Sequence, residues 1–279
     1  MKKALLHPKP RRLLLAALLL HTGLVWADGA NATTTAAPAN VANNTLTFPA
    51  LSASTADTTH WGIGVGAAYH TSPYLGYDAK YSPIPLISFD NQWVHVLGAT
   101  VDLKVAQWNN VMLTLRGTYA LGDGYKGSDS PIFNGMPTRD PAFWFGPALA
   151  WHSAYGVLSG DVLTSGNKGQ RADISFSKPF QYGNLTFAPH VGTAWLSDKY
   201  VGYYYGVPSS LAQPGRNAYA GKSAYEQSVG TRFDYHFAAH QLVTLDLTAT
   251  YLSSGITDSP LIGKKISRQA NLGYLYQFN

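Results

Sequence analysis

The run Leu242-Val243-Thr244-Leu245-Asp246-Leu247-Thr248-Ala249-Thr250-Tyr251 decides the fold. Its odd positions are Val, Leu, Leu, Ala and Tyr, and its even positions after Leu242 are Thr, Asp, Thr and Thr. A period of two with one apolar and one polar face is the signature of a β-strand, because successive side chains of an extended chain point to opposite sides.

The same split recurs along the chain. Trp61, Ile63, Val65, Ala67 and Tyr69 alternate with Gly62, Gly64, Gly66 and Ala68, and Val111, Leu113, Leu115 and Tyr119 alternate with Met112, Thr114, Arg116 and Thr118. Leu97, Ala99, Val101, Leu103 and Val105 oppose Gly98, Thr100, Asp102 and Lys104. Shorter runs oppose Ala172, Ile174 and Phe176 to Arg171, Asp173 and Ser175, and Phe233, Tyr235 and Phe237 to Arg232, Asp234 and His236. Strands of roughly 9–13 residues are longer than those of soluble sheets and match the length of a tilted strand crossing a bilayer. From Trp61 to Tyr69 the chain advances about 26 Å at ~3.3 Å per residue, near the height of an apolar band between two aromatic girdles once tilt is allowed for.

A soluble sandwich would give the same alternation, and the polar face separates the two. Soluble surfaces are rich in Lys and Glu. Here Glu226 is the sole glutamate, charged residues make up 13% of the sequence, and the polar positions are mainly Gly, Thr and Ser with isolated Arg and Asp. That composition fits a barrel lumen, so the expected class is all-β, a transmembrane antiparallel β-barrel over residues 60–279.

The N-terminal segment accounts for the basic character of the whole. Lys2, Lys3, Lys9, Arg11 and Arg12 precede any acid; removing these five from 20 Lys and Arg leaves 15 against 15 Asp and Glu. A nucleic-acid partner is not expected of a body with no excess positive charge. A basic start, the apolar stretch Leu13–Trp26 and the small residues of Val25-Trp26-Ala27 form a secretory signal over residues 1–27, cut after Ala27. The apolar run stops at His21, short of the ~20 residues of a spanning helix. The absence of cysteine suits an oxidising compartment. Residues 28–59, mostly Ala, Thr and Asn, read as a flexible segment.

At the other end, alternation runs through Ile266, Arg268, Ala270, Leu272, Tyr274, Tyr276 and Phe278. Gly273, Tyr274, Tyr276 and Phe278 resemble the terminal signal read by the outer-membrane barrel assembly machinery, with Asn279 following where the last residue is usually aromatic.

Four landmarks then carry a family resemblance: Ser72-Pro73-Tyr74-Leu75-Gly76-Tyr77-Asp78, Pro83-Ile84-Pro85-Leu86-Ile87, Tyr203-Tyr204-Tyr205-Gly206-Val207 and Asp258-Ser259-Pro260-Leu261. In this order the chain resembles the MltA-interacting protein (MipA/OmpV) family, from about Trp61 to Phe278. The resemblance implies a barrel of Gram-negative outer membranes, in contact with outer-membrane lipid, with no catalytic residues at these motifs. Some members are similar to a scaffold linking a murein hydrolase, a lytic transglycosylase, to a peptidoglycan synthase. Others are associated with adhesion or with solute and osmotic responses.

Strand count follows from loop parity, since long loops face outward. Twelve segments begin near Trp61, Ile84, Trp93, Val111, Pro141, Gly156, Gly169, Asn184, Tyr200, Ser223, Gln241 and Ser267. Counting all twelve places the long stretch 121–140 on the periplasmic side. If Ile84–Phe89 extends the strand at Trp93, and Tyr200–Val207 extends the one from Asn184, ten strands place every long loop outside. Ten is the preferred count and twelve the alternative.

Chemistry finds little support. His70 and Ser72 share a face and are the components of a hydrolase dyad, but no orienting residue is identifiable. His236 and His240 have helical metal-ligand spacing, which on a strand separates them by about 13 Å. No cofactor or metal is expected. Asp102, Arg116, Arg171, Asp173, Arg232, Asp234 and Asp246 fall on polar faces with both signs mixed. They read as an internal ion-pair lattice in a narrow barrel, the alternative being a selectivity lining. A non-enzymatic scaffold leads, a narrow solute channel or adhesin is the alternative, and a lipid-modifying enzyme comes third.

Overall fold

The computed structural model describes residues 59–278, so the expected signal segment and almost all of the flexible segment lie outside the described residues. The strands are β1 (His60–Thr71), β2 (Ala79–Asp90), β3 (Val94–Leu97), β4 (Thr100–Trp108), β5 (Val111–Tyr119), β6 (Phe143–Ser153) and β7 (Gly156–Thr164). After them come β8 (Gln170–Ser177), β9 (Phe180–Tyr182), β10 (Leu185–Leu196), β11 (Ala224–Ala238), β12 (Gln241–Leu252) and β13 (Ile266–Phe278). Each pairs antiparallel with its neighbours, and β1 closes on β13 from Trp61 opposite Phe278 to His70 opposite Gln269. β8 and β9 both lie along β10, interrupted at Lys178-Pro179, where proline has no N–H for the ladder. They share one place in the ring, so the closed barrel has twelve positions.

Apolar side chains face out. Val65 is 66% exposed while Asp234 on the opposite face is fully buried. The alternation therefore has the polarity of a membrane barrel, apolar outside and polar inside. Exposed aromatics form two belts: Trp61, Trp108, Trp151, Tyr182 and Phe237 near one end, and Tyr81, Tyr119, Phe143, Tyr225 and Tyr251 near the other.

Twelve is the higher of the two expected counts, reached by different segments. Ile84–Phe89 does not extend the strand at Trp93: it lies within β2, separated from β3 by a turn in which Asn91 Oδ1 accepts the N–H groups of Trp93 and Val94 at 2.8 Å. The alternation across Leu97–Val105 hides a reversal at Gly98-Ala99, where Gly98 takes a φ of +56° that other residues rarely adopt. The turn inverts the parity, so Leu97 points into the lumen and Val101 out. Tyr200–Val207 does not extend β10 either. Most of it belongs to helix α1 (Asp198–Tyr205), started by Ser197, whose Oγ accepts the Tyr200 N–H at 3.3 Å. One added hairpin and one strand fewer bring 120–142 to the same end as the other long connections, resolving the parity conflict.

An apolar cluster of Ala68, Ile84, Leu86, Leu97, Leu242 and Leu275 fills part of the lumen beside β1. The lumen-facing glycines of β1 let the wall close up there, since a Cβ on Gly64 would collide with the Tyr274 carbonyl.

Candidate functional site

The lumen's charges are joined to one another, some within one strand and some across strands. Arg116 on β5 gives a two-toothed bond to Asp102 on β4, at 2.8 and 2.9 Å, and reaches Asp161 on β7 at 2.9 Å. It crosses β6 at Gly146 and Ala148, whose small side chains leave room for the guanidinium. Arg171 donates to Asp173 at 2.8 Å and Arg232 to Asp234 at 2.9 Å, while Thr244 donates to the other Asp234 oxygen. Asp246 stands opposite Arg232 in the ladder and contacts His190 Nε2 at 3.1 Å. Asp102, Arg116, Arg171, Asp173, Arg232, Asp234 and Asp246 lie on the polar faces of their strands, buried or half-buried.

Sequence reasoning missed Asp161, His190, Asp90 and His95; Asp90 Oδ1 meets the Nζ of Lys104, a polar-face residue already visible in the sequence, at 2.8 Å and His95 Nδ1 at 3.0 Å. Asp161 lay in a weakly alternating Gly/Ser stretch, and His190 follows a proline. Parity with their strand neighbours was the available signal.

The opposite end carries a cap built from four connections, 72–78, 120–142, 197–223 and 253–265. Three of the four sequence landmarks meet there. Tyr74 Oη donates to the Tyr204 carbonyl at 3.1 Å, Ser259 Oγ to the Tyr205 carbonyl at 2.6 Å, and the Leu75 N–H to the Leu261 carbonyl at 2.8 Å. Tyr125 and Phe133 stack at 4.0 Å beneath Tyr74. Arg216, buried, donates to the carbonyls of Leu211, Ile132 and Asn134, stitching 197–223 to 120–142. The landmarks are therefore structural pegs of one cap. The remaining landmark, Pro83–Ile87, lies in β2 and supplies Ile84 and Leu86 to the lumen cluster.

Between the cap and the charged lumen is a cavity of about 110 Å³, lined in part by His70, Lys80, Asp123, Glu226 and tyrosines of the cap. Desolvation pushes the Asp123 carboxyl, in the loop 120–142, up to about 6, and burial pushes the Tyr200 and Tyr205 hydroxyls well above their ordinary value. His70 and Ser72 both line it, yet they are not joined: Ser72 Oγ accepts the Tyr74 N–H at 3.2 Å as part of the loop's turn. The nucleophile and base of a dyad are not assembled. Among the described residues no three His, Asp, Glu or Cys side chains converge as metal ligands.

Of the proposed assembly residues, Gly273 faces the lumen while Tyr274, Tyr276 and Phe278 face out. Tyr276 and Phe278 pack edge to face at 5.0 Å, and Tyr274 Oη bonds Gln241 at 3.2 Å.

Residues 63–278 match the model of a family described as MltA-interacting protein MipA. The MltA-interacting protein of Escherichia coli K12 is 29% identical over 227 residues, covering 78% of this chain and 89% of that protein. The outer membrane protein OmpV of Vibrio cholerae is 26% identical over 212 residues, covering 72% of this chain and 80% of that one. Among solved structures, an outer membrane channel from Pseudomonas putida F1 aligns over 84% of this chain and all of its own, with a TM-score of 0.38 and 13% identity.

Proposed function

The chain belongs to the MltA-interacting protein MipA family of outer-membrane β-barrel proteins, and on that premise we propose that it is a non-enzymatic interaction scaffold. The observation that supports this most strongly is the self-neutralised lumen. Asp90, Asp102, Asp161, Asp173, Asp234 and Asp246 each lie within 3.1 Å of a cation or an imidazole of the same wall. An ion-selective pore works through charges left available to the permeating ion. Here those charges serve one another and the fold, which supports an interaction role at the outer surfaces over ion conduction.

A scaffold for peptidoglycan-remodelling enzymes would bind a murein hydrolase and a synthase through its periplasmic end, the end of short turns. The name of the E. coli relative supports the hydrolase. On this reading 273–278 is the segment engaged by the barrel assembly machinery. Capture of the tagged protein from crosslinked, solubilised membranes, with an unrelated barrel as control, should enrich a lytic transglycosylase. Reconstitution in a planar bilayer should give no conductance steps. Steady ion-selective conductance with no enriched enzyme would replace the scaffold by the channel.

A further inference from the structure

Glu226 is the exception among the inward-facing carboxylates. The aspartates of the lumen are each bonded to a cationic or imidazole partner, whereas among the described residues Glu226 on β11 makes no hydrogen bond and no ion pair; Arg171, a cation within its electrostatic reach, is engaged with Asp173. It faces the cavity under the cap. Asp123, on the same cavity, has only a long contact of 3.4 Å from the Tyr200 hydroxyl. Among the described residues, Lys80 lines the cavity without an ion pair, and the Tyr204 hydroxyl, on a residue only 2% exposed, has no partner. Glu226, Asp123 and Lys80 thus line one space without pairing with one another, and Tyr204 lines it with a buried, unpartnered hydroxyl.

With both carboxyls ionised, two carboxylates outnumber the one ammonium that lines the cavity. Holding such a charge half-buried and unpaired is costly, so the arrangement favours an occupant carrying a single positive charge. The walls narrow its chemistry. Tyr74, Tyr200 and Tyr205 supply aromatic surface, which attracts an organic cation more than a strongly hydrated one. A cavity of about 110 Å³ is somewhat smaller than the ~150 Å³ that accommodates benzene, so the occupant has roughly four to six non-hydrogen atoms.

We propose that the cavity beneath the cap binds a small organic ammonium ion, its N–H groups donated to Glu226 and Asp123 and its carbon chain held against the tyrosines. Lys80 then sets the limit of one positive charge by neutralising part of the acidic pair.

The full mature protein, folded in detergent micelles, tests this with n-propylammonium chloride as probe, followed by calorimetry or ligand-observed NMR against sodium chloride at matched ionic strength. Binding should be saturable and should weaken by ~tenfold or more in Glu226→Gln, since a buried charge pair then loses one partner. Should Glu226→Gln fail to show the heat-modifiable mobility of a folded barrel, Lys80→Met provides the second arm. Removing the competing cation should tighten binding several-fold. Unchanged affinity in folded Glu226→Gln, weaker binding in Lys80→Met, or propionate or glycine bound more tightly than propylammonium would each overturn the proposal.

Discussion

Trp61 and Phe278 stack face to face, their ring centroids 3.9 Å apart, on the seam where the first strand of the barrel meets the last. The contact joins residues 217 positions apart (278 − 61) and closes the ring at its turn end. Phe278 thus has two parts to play, as the last aromatic of the chain's terminal pattern and as half of the seam.

Substitution separates these parts. Either Trp61→Ala or Phe278→Ala removes the stack, worth about 0.5–1.5 kcal/mol beyond the area buried. Only Phe278→Ala also removes the terminal aromatic. The folded fraction in outer membranes, read from heat-modifiable gel mobility, should fall several-fold in Phe278→Ala and little in Trp61→Ala. Equal losses would mean that the seam, and not a terminal signal, governs assembly.

The lumen pairs should govern stability. Arg232 is 2% exposed and its partner Asp234 is fully buried, so Arg232→Ala strands a carboxylate inside the wall. The cost should approach about 3–5 kcal/mol, read as a lowered unfolding temperature in detergent. Arg116→Lys should also destabilise, because an ammonium cannot reproduce the fork that reaches both Asp102 and Asp161. Bilayer conductance should stay at baseline in both. An ion-selective current with unchanged stability would identify the lumen as a working pore.

Much of this wall was legible in the sequence because alternation is local: Val243, Leu245, Leu247 and Tyr251 face out as their spacing requires. The hairpin at Gly98 was not legible, since a glycine on a polar face looks like any small lumen residue and both of its flanking strands keep the period of two. The tyrosine-rich segment at 200–205 looked strand-like through its aromatic content, while its helix is set by the cap at Ser197. The cap was hidden because its bonds join 74 to 204 and 259 to 205, distances along the chain that no periodicity encodes. For the site, mixed signs on the polar faces were visible, but which arginine reaches which aspartate depends on small residues of an intervening strand, such as Gly146. Glu226 stood out as the sole glutamate, but its lack of a partner exists only in three dimensions.

The Asp123 carboxyl should give the cap an unusual pH dependence. Its pKa rises from 3.8 to about 6 on folding through desolvation, against the weaker pull of Arg171, the Tyr200 hydroxyl, Lys80 and Lys168. Between these values the folded state holds more protons than the unfolded one, so this group adds stability as pH falls from 7 to about 4. Asp123→Asn should therefore be the more stable form at pH 7, by at most about 3 kcal/mol at ~1.4 kcal/mol per unit, and should match the parent near pH 4. Thermal melts of both proteins across this range check it. A constant difference at all pH values would show that Asp123 does not titrate there.

The leader predicts a mature N-terminus at Asp28. N-terminal sequencing of the membrane-extracted protein should begin Asp-Gly-Ala-Asn, and a chain retaining Met1 would contradict cleavage.

Direct titration of the folded barrel in micelles with a purified periplasmic lytic transglycosylase tests the scaffold role most directly. Saturable binding is predicted, unchanged when the lumen is altered at Arg232 in protein that remains folded, because the interaction belongs to the periplasmic surface. Binding no stronger than that of an unrelated outer-membrane barrel would contradict the account.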